Sequence, residues 1–360
     1  MEQFTLVSKI VRNDDLSEII NHNDVIRTTT AFVDESNVFG RDKEKDFLLS
    51  KLSSTNTEQV ISIVGGGGLG KTTLAQLVYN IEEIKDIFGN NRIWVCVSNP
   101  FDEVKVAQGI LECLKVDHKE TKNLQSLHQT IRESISKVKF LLVLDDVWDE
   151  NPGKWERLCL CLKVGDPESR ILLTTRKEEV AIVMGTAPSN ILKPRHISDD
   201  NCWLIMRQRA FQGKSNGKKN ELENIGKKIA EKCKGLPLAA KTLGAMLISK
   251  DFAEDWREVL NSKMWELVVV ENELVPHIFL SYQELPSALK RCFSILALFP
   301  KDSNIPVEQV IQIWMANGFL YPRSHVEEMV KTGEKYLDFL VSRAFLEADD
   351  TQRVATTSPR

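Results

Sequence analysis

Gly65–Thr73 reads GGGGLGKTT, and Gly65–Thr72 satisfies the spacing G-x-x-x-x-G-K-[ST] of a phosphate-cradling loop. Glycines let the backbone turn tightly and aim its N–H groups inward, the helix that follows adds the positive end of its dipole, and Lys71 supplies a point charge. Thr72 offers a hydroxyl suited to Mg²⁺. A glycine-rich turn before a lysine is the bland alternative, and the flanks argue against it. Val60–Val64 (VISIV) is a short β-branched run, while Leu74, Leu77 and Val78 recur at helical spacing, giving the strand–loop–helix order the mechanism requires.

Downstream, apolar runs at Ile93–Val97, Phe140–Leu144 and Ile171–Thr175 alternate with helical patterns through Val104, Ile110, Leu111 and Leu114, then Leu124, Leu127, Ile131 and Ile135. Such alternation predicts a parallel α/β sheet covered by helices, with its ligand outside the carboxyl ends of the strands. The loop, the Asp145-Asp146 pair and Arg176 all fall at such ends. FLLVLDD at Phe140–Asp146 is an apolar strand closing on two carboxylates, the Walker B arrangement: Asp145 suits Mg²⁺, and Asp146 suits a water to be oriented or deprotonated. Aspartates also end strands simply because they favour turns. Arg176 has the planar fork to reach a terminal phosphate, and its bland alternative is a salt bridge to Glu178 or Asp149.

The remaining chain reads as helical. Trp203, Met206, Ala210 and Phe211 share one face, Leu222, Ile225, Ile229 and Cys233 another, and Gly235-Leu236-Pro237-Leu238 combines a left-handed helix stop with a proline for the first turn of the next helix, Leu238–Leu247. Helices around Pro286–Leu298, Val307–Ala316 and Val326–Leu340 suggest a small winged-helix domain. Its candidate recognition helix, Val307–Ala316, carries no Arg or Lys, which argues against nucleic acid as a partner. Ahead of the first domain, Met1–Ser36 is polar and reads as a connector.

Composition agrees with this frame. The 360 residues are 42% hydrophobic and 27% charged with a formal net charge of −4, an ordinary globular balance that does not favour gripping a phosphate backbone. Neither a membrane-length apolar run nor a secretory leader is present, so a cytoplasmic location is expected. The seven cysteines lie scattered, several in apolar runs, and Cys159 and Cys161 are too close and too isolated for a zinc site.

In order, VFGRD at Val38–Asp42, GGGGLGKTT, IWVCVS at Ile93–Ser98, KFLLVLDDVW at Lys139–Trp148, SRILLTTR at Ser169–Arg176, GLPLA at Gly235–Ala239 and LSYQELPSALKRCFSILALFPKD at Leu280–Asp302 resemble the NB-ARC module of plant intracellular nucleotide-binding leucine-rich-repeat disease resistance proteins, coiled-coil class. The resemblance covers Val38 to about Leu346. It implies a connector left from a coiled-coil region at 1–36, a P-loop NTPase domain with helices on both faces of a parallel sheet at 37–192, a helical subdomain at 193–265, a winged-helix-like subdomain at 266–350 and a frayed tail at 351–360. It further implies that Gly67, Gly68, Leu69, Gly70, Lys71, Thr72 and Thr73 wrap the phosphates of ADP or ATP, that Thr72 and Asp145 hold Mg²⁺, that Asp145 and Asp146 serve hydrolysis, that Arg176 senses the γ-phosphate, that Pro237 lies against the adenosine and that Val38 and Arg41 pass over the adenine. In that family ADP keeps the subdomains closed and ATP opens them, so the nucleotide is a switch ligand with at most slow hydrolysis. Implied partners are full-length immune receptors or further copies of the chain.

Three departures from the family pattern stand out. Position 66 is Gly where Met is usual, no Met-His-Asp triplet occurs, and no leucine-rich repeat is present, so the chain reads as a fragment or truncated product. A conventional P-loop ATPase acting on another substrate, and a regulatory fragment that binds full-length receptors without switching, are the alternative readings.

Overall fold

The computed structural model describes residues 29–55, 58–97, 101–117, 123–212, 219–262, 265, 282, 285–299, 304–320, 326–343, 345–349 and 354–357. Most of the expected connector, and the first part of the LSYQELP block, lie outside the described residues.

Helix α1 (Asp42–Leu52) leads into strand β1 (Val60–Val64), the glycine loop and α2 (Lys71–Asn80), followed by α3 (Glu82–Phe88), β2 (Arg92–Cys96), α4 (Glu103–Cys113), α5 (Leu124–Ile135), β3 (Leu141–Val147), α6 (Pro152–Leu162), β4 (Arg170–Thr175), α7 (Glu178–Val183) and the short β5 (Ile191–Leu192). The strands form one five-stranded sheet, ordered β2-β3-β4-β1-β5 and parallel at every pairing.

Alternation along each strand splits its side chains between two cores. On one face Ile61, Ile63, Leu141, Val143 and Leu172 meet Leu48, Leu52, Leu74, Val78, Ile84 and Phe88 from α1, α2 and α3. On the other, Ile93, Val95, Leu142, Leu144, Ile171 and Leu173 meet Ile110, Leu111, Leu127, Ile131, Trp155 and Val180 from the remaining helices. Each fully buried aliphatic side chain contributes roughly 1.5–3 kcal/mol. Both faces are thus covered, which is why these strands read as continuous apolar runs.

Strand β3 differs from expectation at both ends. The Phe140 N–H is taken by Ser169 Oγ at 3.2 Å, so the ladder begins one residue later. At the other end the strand continues through both aspartates to Val147, with an irregular register between Leu144 and Val147 and Asp146 at φ +55°. This is a bulge that re-aims the strand end.

Residues 29–36 do not merely connect. Thr30 and Ala31 carbonyls accept from Gln76 and Asn80 of α2, Trp94 donates to Thr29 Oγ1 at 3.0 Å, and Val33 packs on the α1–α3 core.

Helices α8 (Asp199–Ala210), α9 (Lys219–Lys232), α10 (Pro237–Leu247) and α11 (Ala253–Leu260) form a second unit around Cys202, Trp203, Met206, Ile229, Leu243 and Trp256. As the sequence predicts, Gly235 is left-handed, at φ +74°, and Pro237 opens α10.

The third unit contains α12 (Ser287–Ile295), β6 (Asn304–Pro306), α13 (Val307–Ala316), α14 (Val326–Ser342), β7 (Leu346–Asp349) and β8 (Val354–Thr357), around Cys292, Val310, Trp314, Leu337 and Leu340. Here one expectation is overturned: the segment read as a frayed tail supplies β8, the middle strand of an antiparallel sheet ordered β6-β8-β7. Its polar, threonine-rich composition hid a strand whose backbone groups are satisfied from both sides.

Candidate functional site

Strands β3, β4 and β1 lie side by side, and their carboxyl ends deliver Asp145, Arg176 and the glycine loop to one crevice. The turn from β1 into α2 needs two left-handed residues, Gly68 at φ +73° and Gly70 at φ +85°, the second being the cap residue of α2. Only glycine takes these values freely. Lys71 is 8% exposed and folds back across the loop to donate to the Gly66 carbonyl at 2.9 Å.

Thr72 in the first turn of α2 donates to Asp145 Oδ1 at 3.0 Å, and Thr174 on β4 donates to the same oxygen at 2.5 Å. Asp145 is completely buried, and its Oδ2 has no hydrogen-bond partner among the described residues. Burial pushes its carboxyl pKa up, and neighbouring Asp146 adds to this, while the hydroxyls of Thr174, Thr29 and Thr72 oppose it. A buried, orphaned carboxylate oxygen beside a threonine hydroxyl fits a hard divalent cation. Among the described residues no three His, Cys, Asp or Glu side chains converge on a metal site. Asp146 is half-buried, and its N–H donates to Thr174 Oγ1 at 2.9 Å.

Arg176 stacks on the Trp148 ring, with 4.9 Å from guanidinium carbon to ring centroid, and a Cβ placed on Gly67 would stand 3.3 Å from that carbon. The carboxylates offered as its bland partners are held by lysines: Asp149 by Lys154 at 2.8 Å and Glu178 by Lys193 at 2.6 Å.

Arg41 is 6% exposed and spans three elements, donating to the Leu69 carbonyl at 2.6 Å, the Arg195 carbonyl at 2.6 Å and Glu44 at 3.0 Å. Burial lowers its pKa and Glu44 opposes that. Its guanidinium is therefore committed to holding the loop against the chain that leads into α8. Val38 closes the 3-10 turn Glu35–Asn37 and packs on the α1–α3 core. From the helical unit, the Leu238 N–H reaches the Gly68 carbonyl at 3.3 Å, bringing Pro237 and the start of α10 onto the loop, whereas Thr73 sits half-buried in the first turn of α2. Thr174, Trp148 and Glu44 are the neighbours that sequence reasoning missed. Glu44 alone carried a local signal, its i, i+3 spacing from Arg41.

The model of the NB-ARC domain matches residues 41–216, and that of the disease resistance protein winged helix domain matches residues 298–358. The chain carries an NB-ARC domain. Disease resistance protein RGA2 of Solanum bulbocastanum is 38% identical over 353 residues, 96% of this chain and 36% of that protein. Putative disease resistance RPP13-like protein 1 of Arabidopsis thaliana is 36% identical over 332 residues, 91% of this chain and 31% of that one. The chain thus spans about a third of the length of these curated relatives. In fold, the NB-ARC chain is similar to a solved Signal Transduction ATPase with Numerous Domains (STAND) protein with a tetratricopeptide repeat sensor from Pyrococcus horikoshii, at TM-score 0.53 and 17% identity, covering 93% of this chain and 42% of that one. No described helix is long and apolar enough to cross a membrane.

Proposed function

We propose that the NB-ARC domain holds ADP or ATP with Mg²⁺ between its glycine loop and the start of α10, and that the chain acts as a nucleotide-dependent switch in plant defence. The observation that carries this is the buried Asp145 oxygen without a partner, set beside Thr72 at the first turn of the helix whose glycine loop Lys71 crosses. When bound, Mg²⁺ would supply positive charge that offsets that of the phosphate oxygens. Backbone N–H groups of Gly67, Gly68, Leu69 and Gly70 line the phosphates, Lys71 and the α2 dipole favour their charge, and Thr72, Thr73 and Asp145 hold the phosphate–cation end. Arg176 faces the terminal phosphate, Asp146 orients a water for slow turnover, and Pro237 with Val38 bounds the nucleoside. Arg41 acts through the Leu69 carbonyl.

Because α10 rests directly on the loop, through Leu238 on Gly68, a ligand with different affinity for two arrangements of these units shifts their balance. Full-length disease resistance proteins, or further copies of the chain, are the partners such a switch would engage, in the cytoplasm. The test is to purify the chain, denature it and identify the released nucleotide by chromatography, with Lys71→Ala as control. Stoichiometric ADP from the parent and none from the variant is the expected result, and empty protein in both overturns the reading.

A further inference from the structure

The segments that leave β3 and β4 are laced together in sequence order. Val147 pairs with Thr175 in the last rung of the sheet, Trp148 stacks against Arg176 one residue later, and Glu150 pairs with Lys177 beyond that. Beyond the register shift, the parallel pairing of Val147 with Thr175 brings these successive residues alongside each other. The Arg176 guanidinium consequently has the indole on one side and, on another, fills the space beside Gly67 that a side chain there would need, an added Cβ standing 3.3 Å from its carbon and 3.3 Å from one of its terminal nitrogens. A guanidinium within about 6 Å of an indole centroid gains a directional attraction, which holds a long, rotamer-rich side chain in one place.

We propose that Trp148 is a specificity-determining positioning residue: by holding Arg176 against Gly67 at the phosphate loop, it sets how strongly the domain prefers a triphosphate over a diphosphate. This rests on the nucleotide reading above. Preorganisation of the guanidinium supplies the difference. An arginine free to sample solvent must be ordered when it meets a terminal phosphate, whereas one already stacked beside the loop loses less freedom on binding. A diphosphate does not present that terminal group, so its affinity does not draw on the stacked geometry. Trp148 itself touches no phosphate in this scheme and acts through Arg176. Asp149 and Glu150, the acidic residues that follow it, pair with Lys154 and Lys177.

The experiment titrates the whole nucleotide-free chain with ATP and separately with ADP, each with excess Mg²⁺, by calorimetry. The proteins are the parent, Trp148→Leu, Trp148→Phe, Arg176→Gln and the double variant Trp148→Leu/Arg176→Gln. Trp148→Leu is expected to weaken ATP about tenfold while ADP stays within about twofold, tenfold being about 1.4 kcal/mol. Trp148→Phe, which keeps a weaker aromatic face, loses about threefold on ATP alone. In the Arg176→Gln background Trp148→Leu has no further effect on the ratio. Equal losses for both nucleotides, a full effect persisting without Arg176, or a phenylalanine variant that loses as much as leucine would each overturn the proposal while leaving nucleotide binding intact. If the leucine variant does not fold, the selective loss in the phenylalanine variant decides, and its absence overturns the proposal. A parent chain that binds neither nucleotide overturns the nucleotide reading and this inference together.

Discussion

Asp145 carries the largest electrostatic tension at the residue scale. It is fully buried, next to a second carboxylate, and one of its oxygens is unpartnered among the described residues. An unsatisfied buried polar atom costs about 1–3 kcal/mol, more for a charged group, so the site holds an unfavourable arrangement that the proposed cation would relieve. Asp145→Asn keeps an oxygen to accept from Thr72 and Thr174 and removes the charge. The ligand-free variant should therefore melt higher than the parent, by about 2–4 °C per ~1 kcal/mol gained. The melting gain that MgADP gives the parent should vanish in the variant. Thermal melts with and without MgADP check both halves, and an unchanged apo melting temperature would mean that relaxation around Asp145 already absorbs the cost.

At the scale of elements, strand β8 shows how tertiary pairing overrides a weak local signal. Val354–Thr357 pairs with β6 on one side and β7 on the other, so it is the strand on which the small sheet depends. A three-stranded sheet that loses its middle strand leaves two edges that do not touch, and isolated strands are unstable in water. A chain ended at Arg353 should thus lose the cooperative melting of the winged-helix unit in calorimetry. The transition of the P-loop domain, whose cores lie elsewhere, should stay within a degree or two. Retention of the winged-helix transition would show that α12, α13 and α14 hold that unit without the sheet.

For the whole molecule, what matters is how three units, with four cores among them, are joined. The helical unit meets the P-loop domain where Leu238 rests on Gly68 and where Arg41 ties the Leu69 carbonyl to that of Arg195. The winged-helix unit meets the helical unit through Arg343, which donates to the Met246 carbonyl at 3.1 Å and to Ser249 Oγ at 2.9 Å. Hydrogen bonds from a charged donor contribute about 1.5–3 kcal/mol, enough to couple two modest units. A ligand present at 100 times its dissociation constant stabilises what binds it by about 2.7 kcal/mol, and coupled units share that gain. Arg343→Ala should separate the winged-helix transition from the rest and make it insensitive to MgADP in scanning calorimetry. A nucleotide shift that survives in the variant would assign the coupling to other contacts.

Much of this molecule was legible locally. The GGGGLGKTT loop, the apolar runs before Asp145 and Arg176, and the Gly235–Pro237 stop-and-start each depend on the conformational limits of a few adjacent residues and on burial periodicity, which is written into consecutive positions. Those features determined the α/β class, the helical units that follow and the strand ends where the site lies. What only the tertiary structure decided involves partners far apart in the chain: Thr72 with Asp145 across 73 residues, Arg41 with the Arg195 carbonyl across 154, Trp148 beneath Arg176, and β8 between its two neighbours. Local periodicity says that a strand is buried but not which strand lies beside it or at which register, and the partners of Arg176 and Asp145 follow from that strand order together with the placing of α2.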